Sequence, residues 1–156
     1  MPSKKLASYL DENKIRYVTI KHSQAFTAQE IAASAHISGQ DFAKTVVIKV
    51  DGKICFAVLP GSYKINFEEL KKALGKETVR LAYEQEFVNK FPDCEVGAMP
   101  PFGNLYGLDV YVAASLTKDE NIAFNACTHT ELIQMKYKDF TKLVKPKVIK
   151  FVKGLV

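Results

Sequence analysis

The apolar positions along the chain follow two periods. Leu6, Tyr9 and Leu10 recur at helical spacing and predict a first helix over residues 4–13. Tyr17, Val18 and Ile20 predict a short strand over 16–21. Thr27-Ala28-Gln29-Glu30, followed by Ile31 and Ala32, is a capping-box pattern that opens a second, short helix. The centre is the most apolar part. Thr45-Val46-Val47-Ile48-Lys49-Val50 and Ile54-Cys55-Phe56-Ala57-Val58-Leu59 are β-branched and apolar runs separated by Asp51-Gly52-Lys53. Asp-Gly between two such runs predicts a hairpin, because a primed turn needs positive φ. Neither run alternates, so both are expected in the middle of a sheet, buried on both faces and covered by helices.

Pro60-Gly61 ends the second run, and Asn66-Phe67-Glu68-Glu69 starts a helix through Leu74 with Gly75 as its C-cap. A further helix is predicted over 83–91, stopped by Pro92. Gly97-Ala98-Met99-Pro100-Pro101-Phe102-Gly103 reads as a rigid loop with glycine at both ends. Strands are predicted over 108–113, 121–125 and 131–135, and a last helix over 137–144, before Pro146. Hairpins with interspersed helices give a mixed α/β, α+β-like class rather than a doubly wound parallel sheet. No internal repeat or linker divides the chain. It reads as one domain over 1–146 with a short basic C-terminal tail over 147–156.

Composition narrows the function classes. The chain has 156 residues, 47% of them hydrophobic and 25% charged, enough for a core without staples. Its longest apolar run, 54–60, is far short of the roughly 20 residues a membrane span needs. Asp11 and Glu12 stand where a signal peptide would carry an apolar core, so the expected compartment is the cytoplasm and no membrane partner is expected. Cys55, Cys94 and Cys127 are odd in number and widely spaced, which argues against a disulfide framework. Cys127-Thr128-His129 is the one close Cys/His pair, too few ligands for zinc, so no metal is expected. Of the net charge of +5, the stretch 136–156 carries +6 and the rest of the chain −1. A concentrated basic segment attracts polyanions, nucleic acid first and an anionic membrane surface second; a solvated tail with no partner is the equal alternative.

Three features could carry chemistry. Lys44 enters the most apolar strand and either snorkels at its end, the commoner outcome, or projects into a pocket, where it could hold phosphate, stabilise an oxyanion or act as a base at lowered pKa. The loop 97–103 could offer backbone N–H groups to a carboxylate, phosphate or oxyanion, or be an ordinary rigid connection. His129, among Thr128, Thr130 and Glu131, could hydrogen-bond a substrate amine or hydroxyl, though a surface histidine is more common. No G-x-S-x-G, P-loop, G-x-G-x-x-G or H-E-x-x-H occurs. No cysteine has the setting of a nucleophile.

In order along the chain stand His22-Ser23 with Thr27-Ala28-Gln29-Glu30, Ala43-Lys44-Thr45-Val46-Val47, Leu59-Pro60-Gly61, the loop from Gly97 to Gly103, and Thr128-His129-Thr130-Glu131-Leu132-Ile133. Together they resemble the YbaK/EbsC/ProX group, the aminoacyl-tRNA editing domain found alone or inserted in bacterial prolyl-tRNA synthetases. The resemblance spans about residues 5–146. It implies a single-domain fold around a curved, mostly antiparallel sheet, and hydrolysis in trans of the ester between a wrong, small amino acid (Ala, Ser or Cys) and the tRNA 3′ end. It implies catalytic positions at Lys44, Gly97 and His129. Lys44 would meet the terminal adenosine or its phosphate, Gly97 would shape the carbonyl and ribose site, and His129 would touch the substrate. Thr45, His22, Pro101, Phe102 and Gly103 are the expected substrate-binding positions, with Thr45 lining the same pocket as Lys44. No cofactor is expected. The expected partners are mischarged tRNA, tRNA-Pro among them, and an aminoacyl-tRNA synthetase. Two positions depart from the group: Cys127 stands where many relatives have glycine, and Ala113-Ala114 where many have an acid. A non-catalytic tRNA- or synthetase-binding module of the same fold, or a hydrolase of another small activated ester, are the alternatives.

Overall fold

The computed structural model describes residues 4–22 and 41–153. The helix expected from Thr27 lies outside them. The first helix, α1 (Lys4–Glu12), buries Leu6 and Leu10 on one side and leads into β1 (Tyr17–Lys21). The central hairpin is β2 (Ala43–Val50) and β3 (Lys53–Pro60), an unbroken antiparallel ladder from Ala43–Pro60 to Val50–Lys53. Its turn takes positive φ at both Asp51 and Gly52, the reason Asp-Gly stands there. Then come β4 (Lys64–Ile65) and α2 (Phe67–Leu74), the latter capped by the Asn66 side chain accepting from Glu69 N–H and by Gly75 in the left-handed region.

Strand β5 (Val79–Leu81) was not legible in the sequence. It pairs with the end of β2. The helix expected over 83–91 is one turn long, α3 (Glu84–Phe87). Glu86 accounts for the difference. Its carboxylate accepts from Tyr83 N–H, from the Arg80 guanidinium at 2.9 and 3.0 Å, and from Lys49 Nζ at 2.6 Å, so the segment is tied to β2 and β5. Phe87 and Phe91 both turn inward from it. The remaining strands and α-helix are β6 (Val110–Ala113), β7 (Asn121–Asn125), β8 (Glu131–Lys136), α4 (Tyr137–Val144), β9 (Lys147–Ile149) and β10 (Val152–Lys153), with short 3-10 turns at Gly103–Tyr106 and Ala114–Lys118.

Two main sheets result, one ordered β1-β8-β7 and one β5-β2-β3-β6-β9, with β4 and β10 as a separate ribbon. Pairing is mostly antiparallel; β3–β6 and β6–β9 are the parallel ladders among the described residues. This is the mixed α/β architecture anticipated. The two main sheets meet at a parallel bridge between Phe42 and Ala123. The central strands are apolar on both faces because each face closes a different core. Ala43, Val47, Phe56 and Val58 pack against Phe124, Ile133 and Met135 of the other sheet. Ile48, Val50, Ala57 and Leu59 pack with Leu70 of α2 and with Phe151. One cover is therefore a sheet, where helices were expected.

The segment 147–156 is not a solvated tail as far as residue 153. Strand β9 adds to the edge of β6, β10 pairs with β4, and Phe151 between them is fully buried. Lysines at every third position, 147, 150 and 153, conceal this in the sequence, because they mask the apolar pairs between them. No helix of the described residues is long and apolar enough to cross a membrane.

Candidate active site

Among the described residues three polar or charged ones are buried: Asn125, His129 and Glu131. All stand within seven positions at the connection of β7 to β8. Burying such groups costs free energy unless they are hydrogen-bonded, and His129 is held by Glu95 and Val96. The chain turns there through Cys127, at φ +71°.

The glycine loop is bound to this connection. Glu95 N–H donates to the Cys127 carbonyl at 2.8 Å, and Cys127 N–H to the Ala98 carbonyl at 2.9 Å. His129 N–H donates to Glu95 Oε1 at 2.7 Å, and its ring Nε2 lies 2.9 Å from the Val96 carbonyl. A carbonyl can only accept, so Nε2 is the donor in this contact. Gly97 follows at φ +86°, where L side chains are disfavoured. A Cβ on it would stand 3.6 Å from His129 Cε1, so its bare Cα faces the imidazole. His22 N–H donates to the Thr130 carbonyl at 2.9 Å, which carries the β1–β8 pairing one residue further. Gly97 and His129 thus meet from two segments.

Cys94 and Cys127 are joined as a disulfide, against the expectation of free thiols. The pairing of 95–98 with 127 brings two cysteines 33 positions apart to a Cα–Cα distance of 4.2 Å. Nothing in their spacing announces that. Asp93 brings its carboxylate within 4.8 Å of both sulfurs, but sulfurs bonded to each other do not supply thiolate ligands.

Lys44 and Thr45 are consecutive in an unbroken ladder, so their side chains leave opposite faces of β2. Thr45 shares its face with Ala43 and Val47, toward the sheet that carries His129; its buried Oγ1 has no hydrogen-bond partner among the described residues. Lys44 shares its face with Val46 and Ile48. Half-buried, it has its pKa lowered by desolvation and then by the neighbouring charge of Lys64.

The rest of the loop is packed into the core. Phe102 is fully buried, edge-on to Tyr9 and Phe140 and tilted against Phe124 at 5.6 Å. Pro101 is buried beside it. Gly103 is required by packing: a Cβ would stand 2.6 Å from Val110 Cγ2 and 2.8 Å from the Leu108 carbonyl oxygen. Ala113 is fully buried in the second core. Sequence reasoning missed Glu95, Asn125 and Glu131. The period of two could have found Glu131, which shares its face of β8 with the core residues Ile133 and Met135. Glu95, on a loop, has no such signal.

The family model of the aminoacyl-tRNA editing domain matches residues 22–143. Proline–tRNA ligase of Bacillus mycoides (strain KBAB4) is 31% identical over 75 residues, 48% of this chain, and that of Bacillus cereus (strain AH187) is 32% identical over 75 residues, again 48%. The match covers 13% of the length of either ligase. Among solved structures, a candidate trans-editing enzyme for prolyl-tRNA synthetase superposes with a TM-score of 0.81 at 18% identity, over 97% of this chain and 96% of that one. A match through more than three quarters of the chain, in a fold shared end to end with that structure, places the chain in the aminoacyl-tRNA editing domain family.

Proposed function

We propose that the chain is a trans-acting deacylase that hydrolyses the ester between a small amino acid (Ala, Ser or Cys) and the 3′-terminal ribose of a mischarged tRNA, tRNA-Pro among the candidates. The observation that carries this reading is the placement of Gly97 against the His129 ring, within a family of editing domains. A ribose ester is already activated, so holding it still and stabilising the oxyanion supply most of the rate. The carbonyl sits against the exposed backbone at Gly97. Water, assisted by the neighbouring ribose hydroxyl, adds to the carbonyl carbon. The tetrahedral intermediate then breaks its bond to the ribose oxygen, which takes up a proton and leaves as the tRNA hydroxyl. His129 orients the substrate's polar groups, held by Glu95 and Val96. Lys44 meets the phosphate or adenosine at the tRNA end. Pocket size excludes larger amino acids, and a synthetase is a candidate partner in supplying the substrate.

The test is a panel of mischarged tRNAs, beginning with Ala-, Ser- and Cys-tRNA, incubated with the wild type and with Lys44→Ala. Rapid ester loss for one or two small amino acids, lost in the variant, is the expected result. Retention of every ester while tRNA still binds would leave a binding module of the same fold.

A further inference from the structure

The basic C-terminal segment returns to the Lys44 end of the molecule. In the ribbon, Lys153 of β10 stands directly opposite Lys64 of β4, so both side chains leave the same face. Both are exposed. Their neighbours Ile65 and Val152 turn the other way and pack on the second core, and Asn66 N–H donates to the carbonyl of the buried Phe151 at 2.6 Å. That core lies on the Lys44 face of β2, and the charge of Lys64 reaches Lys44. Like charges directly opposite in a ladder destabilise it. Among the described residues neither ion pair of Glu86, with Lys49 and with Arg80, reaches Lys44, Lys64 or Lys153.

We propose that the β4–β10 ribbon is a phosphate rail for RNA, on which Lys64 and Lys153 hold the backbone of the acceptor end as it runs to Lys44. This rests on the reading of the chain as acting on tRNA. Two exposed ammonium groups on one anchored ribbon, with the charge of Lys64 reaching the half-buried Lys44, suit a partner with repeated negative charges. The substrate proposed above is itself a nucleic acid, which favours RNA over a membrane surface as the occupant. The ribbon's apolar side is buried in the core, so the rail is fixed in place before RNA arrives and ordering it costs little on binding.

The probe is a short, uncharged RNA hairpin with an unpaired CCA 3′ end, its affinity measured by fluorescence anisotropy over a salt series. The double variant Lys64→Gln/Lys153→Gln should bind more weakly, with a slope of log affinity against log salt shallower by about 1.4–1.8, at roughly 0.7–0.9 for each phosphate that is no longer neutralised. Lys64→Arg/Lys153→Arg should recover the wild-type slope, and Lys90→Gln/Lys118→Gln, an equal charge change at exposed positions off the ribbon, should keep it. Hairpin binding unchanged in the ribbon pair, whatever happens to binding of anionic lipid vesicles, overturns the proposal, as does an equal loss in the control pair. Loss of hairpin binding with every ester in the panel intact would instead sink the hydrolytic reading and leave the rail standing.

Discussion

At the scale of single residues, two glycines of one loop are required for different physical reasons. Gly97 has room for a methyl group but sits at positive φ; Gly103 lacks the room. Gly97→Ala should cost about 1–2 kcal/mol from the left-handed backbone and lower deacylation at least tenfold, about 1.4 kcal/mol in the barrier, by shifting the peptide groups against His129. Gly103→Ala should cost about 1–3 kcal/mol by overpacking, with any loss of activity following the loss of fold. Denaturant unfolding beside single-turnover deacylation separates the two; equal activity losses at equal folded fractions would refute the assignment. Asp119 gives a second test. Burial, and then the charge of Asp41, raises its pKa from 3.8 to about 6. Below 3.8 the carboxyl is protonated in both folded and unfolded states, and no penalty exists. As pH rises through the window to about 6, the unfolded state gives up its proton more readily, so stability falls, and above it the folded state keeps the full cost of a desolvated charge. Asp119→Asn should therefore raise the melting temperature above that window and leave it unchanged below. Melts on both sides check this.

At the scale of elements, the strongest local patterns were legible. The Asp51-Gly52 hairpin, the Asn66 and Gly75 caps, the strand Asn121–Asn125 and the helix Tyr137–Val144 stand where the pattern puts them. Each is specified by contacts near in sequence. The strands that were missed, β4, β5, β9 and β10, have two or three residues each. Strands so short have no period of their own and exist because a partner edge is open beside them. Phe151 is the anchor of the last two, and Phe151→Ala should cost about 3–5 kcal/mol. Were 147–156 a free tail, denaturant melts of that variant would match the wild type. The short α3 belongs to the same class: Glu86, held by Arg80 and Lys49 well below the usual carboxylate range, ties its one turn to the sheet.

At the scale of the whole molecule, the sequence by itself determined the class of fold, the central hairpin, the order of the motifs and the concentration of positive charge at one end. These are properties of spacing and composition, and they survive without knowledge of distant contacts. Only the tertiary structure decided the site. It brought Cys94 to Cys127 across 33 positions, and with them the Glu95–Gly97 loop to His129. It set Thr45 and Lys44 on opposite faces, buried Phe102 as packing, and folded the basic segment back beside Lys64. Adjacency in a strand says nothing of shared surroundings, because successive side chains point apart. Proximity across the chain depends on which sheet edges and core faces close on one another, and that energy is a sum over many distant pairs that no local pattern records.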